Sequence, residues 1–128
     1  MMQMGKDDEA LKEFTTCITR TTEDVGEKWI DVYAFIYRGE ILLKRGRVQE
    51  SIRDFDTALK YYDKCVEAYY YKAIALIKNR EQVTACEHLR NALDFANKGH
   101  INTTIYRDVF KQLYITDVEA QIELNCNF

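Results

Sequence analysis

The chain has 128 residues, 47% hydrophobic and 30% charged, with a formal net charge of −3; this balance fits a globular domain with one core and excludes a disordered chain. A mildly acidic chain lacks the clustered basic charge that drives binding to nucleic-acid phosphates, and no run approaches the roughly 18 apolar residues of a membrane span. The absence of proline and the presence of only five glycines favour helices over an all-β design, which needs turn residues every few positions.

The first predicted helix covers residues 6–20, with Leu11, Phe14 and Ile18 on its apolar stripe. The residues before it, Met-Met-Gln-Met-Gly-Lys-Asp-Asp-Glu, have no apolar core and are soon acidic, so they do not read as a secretory signal, and a cytoplasmic setting is expected. A helical hairpin follows over 32–65. Its first helix carries Phe35, Gly39 and Leu42, and its second carries Ser51, Phe55, Ala58 and Leu59 at helical spacing. Gly46 lies just beyond the first helix, where a left-handed cap is usual, and Lys44 and Arg45 suit the negative end of the helix dipole.

A second hairpin, 66–99, repeats the first at a constant interval, the one that separates Gly39 from Ala73. Phe35 falls on Tyr69, Gly39 on Ala73, Leu42 on Leu76, Ser51 on Ala85, Ile52 on Cys86, Phe55 on Leu89, Ala58 on Ala92 and Leu59 on Leu93. Small residues recur where two helices must approach closely, and large ones recur where the space between them must be filled. Upstream, Gly5, Ala10, Phe14, Cys17 and Ile18 reproduce the spacing of Gly46, Ser51, Phe55, Ala58 and Leu59. Residues 5–20 therefore read as the second helix of a truncated repeat. Downstream, Ile105, Val109, Phe110 and Leu113 give a stripe over about 103–115. Thr116-Asp-Val-Glu119 then resembles a capping box opening a short helix with Ala120, Ile122 and Leu124 as its apolar positions. Together, 102–125 is predicted to be a capping hairpin covering the last apolar face.

The pattern carried by Phe35, Gly39, Leu42, Gly46, Ser51, Phe55 and Ala58, and by their partners in the second hairpin, resembles the tetratricopeptide repeat family. Two positions depart from it: Asp63 and Asn97 stand near the place of a common proline, and Arg80 replaces a turn glycine. The resemblance implies one all-α domain, a right-handed superhelix of antiparallel helix pairs with about six helices. It also implies a concave groove lined by the first helix of each pair. The residues of those helices not used for packing give Tyr33, Ile36, Tyr37, Glu40, Leu43 and Lys44 in one repeat, and Glu67, Tyr70, Tyr71, Ile74, Ile77 and Lys78 in the next. Ile101, Thr104, Ile105, Asp108 and Lys111 would follow in the capping helix. An apolar, tyrosine-rich groove suits an amphipathic segment of a protein partner. The same residues could instead be covered by the chain itself, for which the segment from Ile122 to Phe128 is a candidate.

No phosphate loop, nucleophile elbow or metal-binding histidine pair is present. The acidic residues, among them Glu50, Asp54 and Asp56, read as solvated helix faces. No catalytic residue, metal or cofactor is therefore expected, and the chain reads as a binding module rather than an enzyme. Cys17, Cys65, Cys86 and Cys126 are scattered without metal-ligand spacing and read as reduced, small apolar residues. His100 reads as a loop or helix-end residue. The stripe Leu11, Phe14 and Ile18, lacking a partner helix, makes self-association as a homodimer the alternative reading, together with membership of a longer repeat array.

Some members of the resembled family grip the carboxylate of a chaperone tail with Lys, Asn and Arg. The corresponding positions here hold Ile36, Glu40, Tyr71, Ile101 and Ile105, none of which suits a carboxylate. Calorimetry with such a tail peptide is expected to show no carboxylate-dependent binding.

Overall fold

The computed structural model describes Lys12, residues 32–101 and residues 113–126. Among these residues there are five helices and no strands: α1 (Val32–Lys44), α2 (Val48–Tyr61), α3 (Val66–Lys78), α4 (Gln82–Asn97) and α5 (Ile115–Asn125). The fold is an all-α helical repeat. α1 pairs with α2 and α3 with α4 as tight hairpins, α2 packs on α3, and α5 packs on α4. The predicted helix over 6–20, with Leu11, Phe14 and Ile18, lies outside the described residues, as does most of the stripe predicted over 103–115.

The packing positions read from the repeat interval are the ones the hairpins bury. Ser51, Phe55, Ala58, Ala73, Ala85, Leu89 and Ala92 have no exposed surface, and Phe35, Leu42 and Leu76 are nearly closed off. Gly39 is required by contact. A Cβ at that position would stand 2.6 Å from Cε1 of Phe55, so α1 and α2 meet at this depth only because the side chain is missing. In the second hairpin Ala73 fills the equivalent place beside the smaller Leu89. The Ser51 hydroxyl, buried in the seam, donates to the carbonyl of Val48 at 2.6 Å.

Three helix ends are closed by one device. The amides of Gly46 and Arg47 reach back to the carbonyls of Leu43 and Leu42. Those of Arg80 and Glu81 reach Ile77 and Leu76, and those of Gly99 and His100 reach Ala96 and Phe95. This double bond pattern needs a left-handed residue at its corner, and Gly46, Arg80 and Gly99 have φ of 77°, 62° and 87°. His100 thus sits just past α4, as expected, with its Nδ1 3.2 Å from the Tyr62 hydroxyl.

Three expectations are corrected. Asp54 is not a solvated residue. It is buried and accepts two hydrogen bonds from Arg38, Nε to Oδ2 at 2.8 Å and Nη2 to Oδ1 at 2.6 Å. It lies three residues after Ser51 and four before Ala58, on the packing face, and the bidentate arginine neutralises it there. Second, the cysteines are not all reduced. Cys86 and Cys126 form a disulfide, Cα–Cα 5.8 Å, 40 residues apart in sequence. Cys65 is a free, buried thiol, and Cys17 lies outside the described residues. Third, α5 opens earlier than Thr116. The Tyr114 amide donates to Asp117 Oδ2 at 2.9 Å, which makes Asp117 rather than Glu119 the capping carboxylate. The helix is therefore rotated from the expected facing: Val118 is buried, Ile122 is half-buried, and Ala120 and Leu124 are exposed.

The second hairpin holds His88 where the first holds Asp54, and Lys72 where the first holds Arg38. Lys72 pairs instead with Asp56 of α2 at 2.6 Å. His88 is half-buried with its ring edge-on to Tyr69, and its Nδ1 has no hydrogen-bond partner. Burial, reinforced by Lys72, pushes its pKa below the ordinary histidine range, against the pull of Asp56 and Glu87.

Three outcomes are expected. Arg80→Gly should stabilise the fold by about 1 kcal/mol in urea titration, since a side-chain-bearing residue in the left-handed region costs roughly 1–2 kcal/mol. Gly46→Ala should destabilise by a similar amount, because the space around Gly46 is open and only the backbone penalty applies. As pH falls, the unfolded chain protonates at position 88 before the folded one does. The contribution of neutral His88 is therefore full above about pH 6.5, the unfolded value, and is lost below it. Melting curves at pH 7.5 and 5 should show a smaller acid destabilisation in His88→Gln than in the parent protein.

Candidate protein-binding surface

The first helices of the two hairpins, α1 and α3, form the candidate wall. Both are apolar around most of their circumference, because each contacts its hairpin partner on one side and the other first helix on another. This second contact redraws the predicted surface. Ile36 is fully buried, and Tyr37, Leu43 and Glu67 are nearly so. Ile36 and Leu43 belong to one buried cluster with Phe55, Cys65, Ala68 and Ala75, so they fill the seam between helices instead of lining an open face.

The half-buried residues are Tyr33, Glu40, Tyr70, Tyr71 and Ile74, while Lys44 and Lys78 are exposed. Tyr33 and Tyr37 lie one helical turn apart with ring centroids at 6.2 Å. Tyr70 and Tyr71 meet edge to face at 5.1 Å. Tyr71 also stacks on Phe55 of the first hairpin, centroids 6.1 Å apart, so its ring is anchored in the core. Burial, then the charge of the neighbouring Glu40, pushes the Tyr71 phenol well above the ordinary range. Tyr33 is raised by burial and then by Glu67. Both tyrosines stay neutral and present a hydroxyl on an apolar body, a form suited to surfaces covered on binding.

Lys44 and Lys78 occupy equivalent last-turn positions of α1 and α3, one repeat apart. They give one end of the wall a basic edge. Its Tyr70 side is bounded by α5. Tyr70, Ile77, Ile122 and Cys126 all pack on the cluster of Ala73, Leu76, Ala85 and Leu89. Part of the predicted face is thus covered by the chain itself, at Ile122. Ile101 packs into the neighbouring cluster around Val66 and Val118. Thr104, Ile105, Asp108, Lys111 and Phe128 lie outside the described residues.

A cavity on the other side of α1 escaped the sequence reading. A cavity of about 460 Å³ between α1 and α2 has Phe35 and Leu42 as its floor, with Arg38, Arg47, Glu50 and Asp54 at its walls. Arg38 is committed to Asp54, and Arg47 to Glu50 through two hydrogen bonds. The signal was the position of Asp54 on the packing face, obscured by its charge. Among the described residues no three His, Cys, Asp or Glu side chains are grouped to hold a metal ion, and no helix is long and apolar enough to cross a membrane.

Residues 40–69, from the middle of α1 through α2 into α3, match a family model described as tetratricopeptide repeat. Comparisons with curated proteins and with solved structures gave no match. Repeats of this family generally mediate contacts between proteins and are typically not enzymes. Residues 40–69 thus carry a tetratricopeptide repeat, and Ser51, Phe55 and Ala58 within it are buried as their counterparts Ala85, Leu89 and Ala92 are in the second hairpin.

Proposed function

We propose that the chain is a protein-binding module whose α1–α3 wall receives an amphipathic segment of a partner. The observation that carries this reading is the half-buried stripe Tyr33, Tyr70 and Ile74 beside the basic edge of Lys44 and Lys78. Amphipathic aromatics that are already partly ordered lose little conformational freedom on binding. Tyr71, stacked on Phe55 and edge-on to Tyr70, holds the α3 tyrosines in place. Ile36 and Tyr37 support it from beneath and touch the partner little. The basic edge selects for an acidic group at one end of the bound segment, by charge complementarity.

The alternative, self-association through Leu11, Phe14 and Ile18, rests on residues outside the described structure. Light scattering at high concentration tests it: a dimer lost in Phe14→Ser supports it, and a monomer ends it.

For the wall, peptides selected from a random displayed library are expected to share an apolar stripe and a terminal acidic cluster. The double variant Lys44→Glu/Lys78→Glu should bind them about tenfold more weakly with unchanged helicity, since both side chains are exposed. Selected peptides indifferent to these substitutions and to Tyr70→Ala would place binding elsewhere.

A further inference from the structure

The described end of the fold depends on a narrow seam. α5 has 11 residues, too few for a stable isolated helix in water, and Val118 is the one it buries fully. Leu113 and Val118 pack against Val66, Ala92 and Ala96. Ile122 and Cys126 add a strip on the next cluster. The opposite side of the helix, including Leu124 at 77% exposure, faces solvent. Among the described residues, a short apolar line and a covalent bond, Cys86–Cys126, join α5 to the second hairpin.

The two sulfurs are not equivalent. Cys86 is 1% exposed in the seam of α4, while Cys126, just beyond α5, is half-buried. We propose that Cys86–Cys126 is a reversible thiol–disulfide site that latches α5 onto the second hairpin, opened by a dithiol reductant. One thiolate of the reductant attacks Sγ of Cys126, which belongs to the more exposed of the two residues, and the S–S bond breaks with Cys86 leaving as a thiolate that takes up a proton. The second thiolate of the reductant attacks the mixed disulfide and releases Cys126, which is protonated in turn. The reductant becomes an intramolecular disulfide, and two electrons and two protons have passed to the protein.

Cys65 does not compete in this exchange. It is fully buried in a different cluster, and burial, then Glu67, pushes its thiol up to about 12, so it supplies essentially no thiolate near neutral pH. Opening the latch frees α5 to leave the clusters under Ile122, and it uncovers Tyr70 and Ile77 on α3. The site stands independently of the partner reading. If that reading also holds, reduction enlarges the apolar wall.

The test uses the full chain. Air-oxidised protein is alkylated under denaturing conditions with and without prior dithiothreitol, and the labelled cysteines are located by mass spectrometry. Amide hydrogen exchange is followed in the oxidised protein, the reduced protein and Cys126→Ser. Cys86 and Cys126 are expected to be protected from alkylation until reduction and to be recovered as one cross-linked peptide. Exchange over 115–125 is expected to accelerate about tenfold or more on reduction, with α1 and α2 unchanged, and Cys126→Ser should behave as the reduced form under both conditions. Alkylation of both cysteines in the oxidised sample overturns the site. Unchanged exchange over 115–125 overturns the latch, as does an equal acceleration in every helix.

Discussion

The ring of Phe55 lies against the backbone of Gly39 on one side and stacks on Tyr71 on another, with none of its surface exposed. Three helices are therefore positioned by one side chain. The depth of the α1–α2 seam follows from the missing Cβ at residue 39. The approach of α3 follows from where the Phe55 ring then stands. The candidate wall inherits its form from the same place, because Tyr71, held by Phe55 and edge-on to Tyr70, fixes how the tyrosines of α3 are presented. Few other side chains could fill this position: a smaller one would leave a void beside Gly39, and a larger one would separate α1 from α2.

The two hairpins share a framework but stabilise it differently. In the first, the corner is a glycine, the buried acid is matched by an arginine, and the position facing the next helix is Ile52. In the second, the corner is Arg80 in a left-handed conformation, the matched acid is replaced by His88 with an unpaired Nδ1, and Ile52 is replaced by Cys86. Each replacement removes a local source of stability from the second hairpin. The covalent tie to Cys126 acts at the same hairpin, closing a loop of the kind that restricts the unfolded chain.

Much of the fold was legible in the sequence because packing between paired helices repeats at a fixed interval. Gly39, Ser51, Phe55 and Ala58 are recognisable from spacing alone, as are their counterparts Ala73, Ala85, Leu89 and Ala92 in the next repeat. The wall was legible only in part. Helical periodicity tells which residues are apolar but not which of two neighbouring helices covers them, so Ile36 and Leu43 were assigned to an open face but lie in one buried cluster with Cys65, Ala68 and Ala75. Charge misled at Asp54, where the partner lies 16 residues away on another helix. The disulfide left no local trace, since its cysteines are 40 residues apart and meet only once α5 has folded back along α4. At α5 the positions named as apolar, Ala120, Ile122 and Leu124, are two apart and cannot all share one helix face, whereas the buried Val118 lies four residues before Ile122.

The short links 45–47 and 79–81 join helices that then pack along their lengths. Bringing such helices together costs little loop-closure entropy, and contacts between near neighbours in the chain are those that form fastest. Each hairpin can therefore assemble as its own residues become available, the first while the second is still leaving the ribosome. The Cys86–Cys126 bond joins residues that no short link brings together. It belongs to the end of that sequence, a seal set on a structure whose order was already decided by proximity along the chain.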